Sequence, residues 1–94
     1  MNRTEILKKA NECVTGYRQQ DYGEAEDNFG IIAKLWSAYT GREYTALDVA
    51  MMLGLVKVGR AASGNYHPDN YVDLAGYAAC AGEIAGRKAE GCTP

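Results

Sequence analysis

The chain has 94 residues, with 10 Lys+Arg against 12 Asp+Glu for a formal net charge of −2, and 47% of its residues are apolar. A chain this short is one domain close to the lower limit for a self-sufficient core, so association into a homo-oligomer is expected to supply further burial. With no basic arm or stripe a nucleic-acid backbone is excluded as partner, and with no long uncharged apolar run and a polar, charged start at residues 1–9 a membrane span and a signal peptide are excluded, which predicts a cytoplasmic protein.

In chain order, Thr4 is a good N-cap, and Ile6, Leu7, Ala10, Cys13, Val14 and Tyr17 recur at helical spacing. This first helix is expected to end near Arg18 to Gln20, because Asp21-Tyr22-Gly23 is a turn sequence. Glu24, Glu26 and Asp27 then lead into a second helix, where acidic groups suit the positive end of the dipole. That helix, about residues 24–40, sets Phe29, Ile32, Leu35, Trp36 and Tyr39 on a broad apolar face, with Gly41 as its C-terminal stop. Trp36 reads most simply as a core residue.

Thr45 followed by Asp48 is a capping box that opens a third helix. At about 100° per residue Asp48 falls roughly opposite Lys57, which makes it a cap and not part of a cationic cluster. Lys57 and Arg60 are three apart and neighbours on the helix surface, where they suit the C-terminal end of the dipole or hold an anion between them. Ser63-Gly64-Asn65 turns the chain, His67 is a loop or N-cap residue, and Pro68 fits the first turn of a fourth helix. In that helix Asp69, Asp73 and Tyr77 are spaced four apart on one face, with Asn70 beside them. The small residues Ala75, Gly76, Ala78, Ala79, Cys80, Ala81 and Gly82 let neighbours approach on more than one side, as at the centre of a bundle or at a subunit interface. The end of the chain frays after Arg87, leaving a domain of residues 1–89 and a disordered tail of residues 90–94. Cys13, Cys80 and Cys92 are odd in number and lack C-x-x-C spacing, so they read as reduced thiols, the first two buried.

Four helices with short loops and no strand pattern predict an all-α bundle. An apolar helix ending in two cations is followed by one opening with two carboxylates, so a hairpin across the short loop brings those groups together. The carboxylates repel each other unless a cation sits between them. That cation is either Lys57 or Arg60, or a magnesium ion, which takes a few carboxylates with water and phosphate oxygens.

The string Arg18-x-x-Asp21-Tyr22-Gly23, Asn28, Ile-Ala-x-Leu-Trp36, Asp48-Val-Ala, Lys57-x-x-Arg60 and Asp69-x-x-x-Asp73-x-x-x-Tyr77 resembles a family of small phage and prophage proteins. That family is similar to nucleotide-modification-associated domains and to the MazG-type all-α nucleoside triphosphate pyrophosphatases. The resemblance implies a four-helix MazG-like bundle, assembled as a homo-oligomer, with a base in a pocket between helices and magnesium ions against a triphosphate. Asp69 and Asp73 match the acidic positions of the later helix, and Lys57 and Arg60 match basic positions that meet phosphate oxygens. In place of the first Glu-x-x-Glu pair the second helix offers Glu24, Glu26 and Asp27, all at its mouth. Two-metal phosphate chemistry needs carboxylates enough to fix both ions, whereas phosphate binding does not.

Three readings follow. The first is a phage-type protein, in the host cytoplasm, that holds a nucleotide or a cyclic-nucleotide or ADP-ribose type ligand and sequesters a host defence signal. Its ligand residues are Tyr22, Asn28, Trp36, Lys57, Arg60, Asn70 and Tyr77. The second is a magnesium-dependent nucleoside triphosphate pyrophosphohydrolase, with Asp69 and Asp73 joined by Glu24 or Asp27 at the metal. The third is a structural or interaction bundle in which every charge named is a cap or a surface ion pair.

Overall fold

The computed structural model describes residues 1–16 and 24–91. Among them the chain forms four α-helices and no strand: α1 (Arg3–Thr15), α2 (Ala25–Thr40), α3 (Ala46–Ser63) and α4 (Pro68–Gly91). The all-α class is as the sequence predicts.

Helix α1 starts earlier than expected. Asn2 is its N-cap: the side chain accepts from the Glu5 N–H at 2.9 Å, and the Glu5 carboxylate accepts from the Asn2 N–H at 3.1 Å. Thr4 lies inside the helix, because Asn is at least as strong a cap and Glu5 stands three residues on to complete the reciprocal pair. The helix stops at Gly16, whose N–H donates to the Glu12 carbonyl at 2.8 Å. A Cβ at Gly16 would lie 2.5 Å from that oxygen, so glycine alone closes the helix this tightly. The stop therefore comes before Arg18; Tyr17 and the Asp21-Tyr22-Gly23 turn lie outside the described residues.

Helix α2 ends as predicted at Gly41, which adopts φ 77° and donates its N–H to the Ser37 carbonyl. The Ser37 hydroxyl donates to the Ala33 carbonyl and accepts from the Tyr44 N–H, which ties the connection at 41–45 back onto the helix. Phe29 and Ala33 are buried, and Ile32 and Trp36 pack against the core. Leu35 and Tyr39, expected on the same face, are 64% and 92% exposed. The apolar surface of α2 is wider than its contact with the chain, and these two residues fall outside the contact line.

Helix α3 opens on the predicted capping box: the Thr45 hydroxyl accepts from the Asp48 N–H at 3.1 Å and the Asp48 carboxylate accepts from the Thr45 N–H at 2.9 Å. Helix α4 begins at Pro68, with the Asn70 N–H donating to the His67 carbonyl. It runs past Arg87 to Gly91, since Lys88, Ala89 and Glu90 are good helix formers; residues 92–94 lie outside the described set.

Helices α3 and α4 pack along each other as a central pair, with α2 along α3 and α1 along α4. Helix α2 meets α4 much more sparingly, through Phe29 against Tyr77 and Glu26 against Arg87. The bundle is therefore open, in the order α1, α4, α3, α2. Its core joins Phe29, Ala33, Val49, Ala50, Ala81 and Ile84. The small residues of α4 serve two close approaches, as predicted for a central helix: Gly76 faces Val14, where a Cβ would sit 3.2 Å from Cγ1, and Ala81 lies in the core. Cys13 and Cys80 are half-buried, where the sequence predicts full burial. No described helix is long and apolar enough to cross a membrane.

Candidate anion site at the loop end of the central hairpin

The antiparallel register of α3 and α4 follows from their contacts. Gly54 approaches the Leu74 and Tyr77 side chains, where a Cβ would be 3.4 Å and 3.8 Å away. One turn on, Lys57 Nζ meets Asp73 Oδ2 at 2.9 Å, with side chains 17% and 31% exposed. The same register sets Arg60 level with Asn70. Asn70 is nine-tenths buried, at 9% exposure, on the face of α4 that carries Asp73 and Tyr77. Arg60 and Asp69 are exposed, and neither makes an ion pair among the described residues. The hairpin thus joins one cation to one carboxylate, through the Lys57 and Asp73 pair, and leaves Arg60 available at the same end.

Tyr77 packs its ring against Phe29, centroids 6.2 Å apart, and Trp36 meets Tyr44 edge-on at 5.9 Å and 87°. Both are packed with the core, which is the simplest reading of Trp36. Asn28 is half-buried on α2, next to Phe29 in sequence. Tyr22 lies outside the described residues.

The acidic residues named for metal are not brought together. Glu24 lies at the mouth of α2, where its carboxylate is 3.9 Å from the Arg87 guanidinium. Arg87 is fourteen residues beyond Asp73 on α4, about 21 Å along the axis. Asp27 is exposed on the first turn of α2. Among the described residues no group of three or more His, Cys, Asp or Glu side chains is placed to hold a metal ion.

Two features went unread in the sequence. At the candidate site, Tyr66 and Tyr71 stack with centroids 6.0 Å apart and planes 32° apart, 64% and 42% exposed. They flank Pro68, and because Tyr66 precedes the helix a helical-spacing search does not pair them. At the opposite end Arg87 gathers Glu83 at 2.6 Å, Glu26 at 3.0 Å and Glu24 at 3.9 Å. The hydrogen bond with Glu26 and the field of the neighbouring carboxylates hold that guanidinium above its ordinary value, so it stays charged at every working pH. This cluster borders a cleft of about 170 Å³, also lined by Val14, Cys80 and Ile84. The helical spacing of Glu83 and Arg87 was legible, but the convergence of Glu24 and Glu26 on them depends on how α2 lies against α4.

A family model for a domain of unknown function, DUF6378, matches residues 5–85. The chain is 50% identical over 74 residues to the Gene 55 protein of Mycobacterium phage L5, covering 78% of this chain and 47% of that protein. It is 38% identical over 86 residues to the Gene 55 protein of Mycobacterium phage D29, covering 92% of this chain and 57% of that one. The chain spans about half the length of the curated relatives it matches. No solved structure matches.

Proposed function

The chain belongs to the DUF6378 family, a phage protein family of unknown function, and from that premise we propose that it binds a small anionic ligand of the nucleotide class at the loop end of the α3–α4 hairpin. The observation that carries this reading is a largely buried ammonium, Lys57, held in place by Asp73 at 2.9 Å, with the exposed and unpaired Arg60 one turn further on. Arg60 grips a phosphate bidentately, and Lys57 adds a point charge that Asp73 keeps oriented while the site is empty. The buried Asn70 amide supplies directional hydrogen bonds, and the exposed Tyr66 and Tyr71 rings offer a face to a base.

A MazG-type bundle with nucleotide in hand fits two uses. Binding without turnover takes a host signal nucleotide out of circulation and needs no group beyond those at the hairpin. Hydrolysis needs magnesium on Asp69 and Asp73 plus a second acidic pair, and Glu24 is engaged about 21 Å away along α4. The binding use is therefore preferred.

The test is to incubate the chain with nucleoside triphosphates, cyclic dinucleotides and ADP-ribose derivatives, with and without magnesium, and to follow each by chromatography before and after heating. A compound that leaves solution and returns intact on denaturation is the expected result. A compound consumed only with magnesium assigns the hydrolase instead, and no change for any of them reduces the Lys57 and Asp73 pair to a structural clamp.

A further inference from the structure

Between Asp48 and Arg60 helix α3 carries one charge, Lys57, and is otherwise apolar all round. Its inner side is accounted for: Val49 and Ala50 are buried in the core, Gly54 faces Leu74 and Tyr77, and Lys57 meets Asp73. At about 100° per residue Met51, Met52, Leu55, Val56, Val58 and Gly59 fall together on the outer side, within an arc of roughly 160°. The five large side chains among them are 39% to 64% exposed, and every exposed position between Asp48 and Arg60 belongs to this set. The face is continuous because it lies on a single helix. A helix that is apolar on all sides is one that is covered on all sides.

We propose that this outer face of α3 is the interface through which two copies of the chain pair, their α3 helices antiparallel about a two-fold axis at Leu55. The face exposes several hundred Å² of apolar surface, more than half of one side of a standard interface, about 800 Å² per partner, and such interfaces take the remainder from a polar rim. Its shape complements itself. The half towards the start of the helix carries the long Met51 and Met52, and the half towards its end carries Val58, Gly59 and Ala62. With the axis at Leu55, Met51 stands level with Gly59 of the other copy, and Met52 with Val58. This accounts for Gly59, which costs a helix stability relative to alanine and in the single chain has nothing within 4 Å of where its Cβ would be. Charge selects the antiparallel sense. Asp48, the one carboxylate on the face, then lies level with Ala62 of the other copy and about 21 Å along the axis from its own counterpart, whereas a parallel pair sets the two carboxylates side by side. The chain's own core leaves burial to be gained: three of the six buried residues in the core cluster are alanines, and Val49 is the sole large side chain that is fully buried among the described residues.

The inference does not rest on the ligand reading. Sedimentation of the full chain from about 1 to about 100 µM tests it, since a dimer's population follows concentration. The expected result is a dimer that Leu55→Lys weakens roughly 100-fold or more, because the axis sets the two new charges against each other. Helicity by circular dichroism stays unchanged, since the position is exposed. Gly59→Leu weakens the dimer roughly tenfold or more and also keeps the helicity of the single chain, because its side chain enters open space there. Leu7→Lys, 63% exposed on α1, leaves the dimer intact. So does Lys57→Met on the inner side of α3, which separates failure of this inference from failure of the ligand site. A chain that is monomeric throughout the range overturns the proposal, as does a dimer that survives the combined Leu55→Lys and Gly59→Leu change.

Discussion

Lys57 holds the centre of the candidate site, because its ammonium is mostly removed from water and meets the Asp73 carboxylate at 2.9 Å. Replacing it with Met keeps most of the stem and leaves Asp73 unpaired in a half-buried position. The expected loss is about 1–2 kcal/mol of unfolding free energy in urea, the scale for stranding one member of a partly buried pair. Asp73→Asn is the informative counterpart. It keeps the shape and a hydrogen-bonding group but releases the ammonium, so affinity for an anionic ligand rises several-fold while stability falls; an unchanged or weaker anion affinity, read by equilibrium dialysis, denies Lys57 a binding role. At Gly41, whose φ of 77° is left-handed, substitution by Ala costs about 1 kcal/mol in the same urea assay.

At the scale of the elements, the caps decide where the helices begin. Thr45→Ala removes the acceptor for the Asp48 N–H and is expected to cost about 1 kcal/mol, measured as a drop in thermal or urea stability. The box was legible because its partners are three residues apart and need nothing from the rest of the chain. The start of α1 was less so, since Asn2 and Thr4 are both able caps and only the reciprocal bond from Glu5 separates them. That the α3–α4 hairpin brings Lys57 and Arg60 towards Asp69 and Asp73 was legible from the short loop between the helices, but which cation meets which carboxylate was not. The outward placement of Leu35 and Tyr39 was not, because an apolar face wider than one contact does not say which edge the neighbour takes. Nor was the separation of Glu24 from Asp73, which depends on the mouth of α2 lying beside Arg87.

Across the whole molecule, the open helix order leaves two ends with different chemistry. One end gathers Glu24, Glu26 and Glu83 around Arg87 and joins α2 to α4 by ion pairs that are exposed. Arg87→Gln is therefore expected to loosen the start of α2, seen as faster amide hydrogen exchange there, with an effect that shrinks as salt is raised. The other end holds the Lys57, Arg60 and Asn70 site beside the Tyr66 and Tyr71 rings. The most direct test of that site is equilibrium dialysis of the wild-type chain and of Lys57→Met and Arg60→Ala against the same nucleotide panel, with circular dichroism to verify that all three are folded. The expected result is a nucleotide retained by the wild-type chain and lost by both variants at equal helicity. Equal retention by all three, or by none, contradicts it.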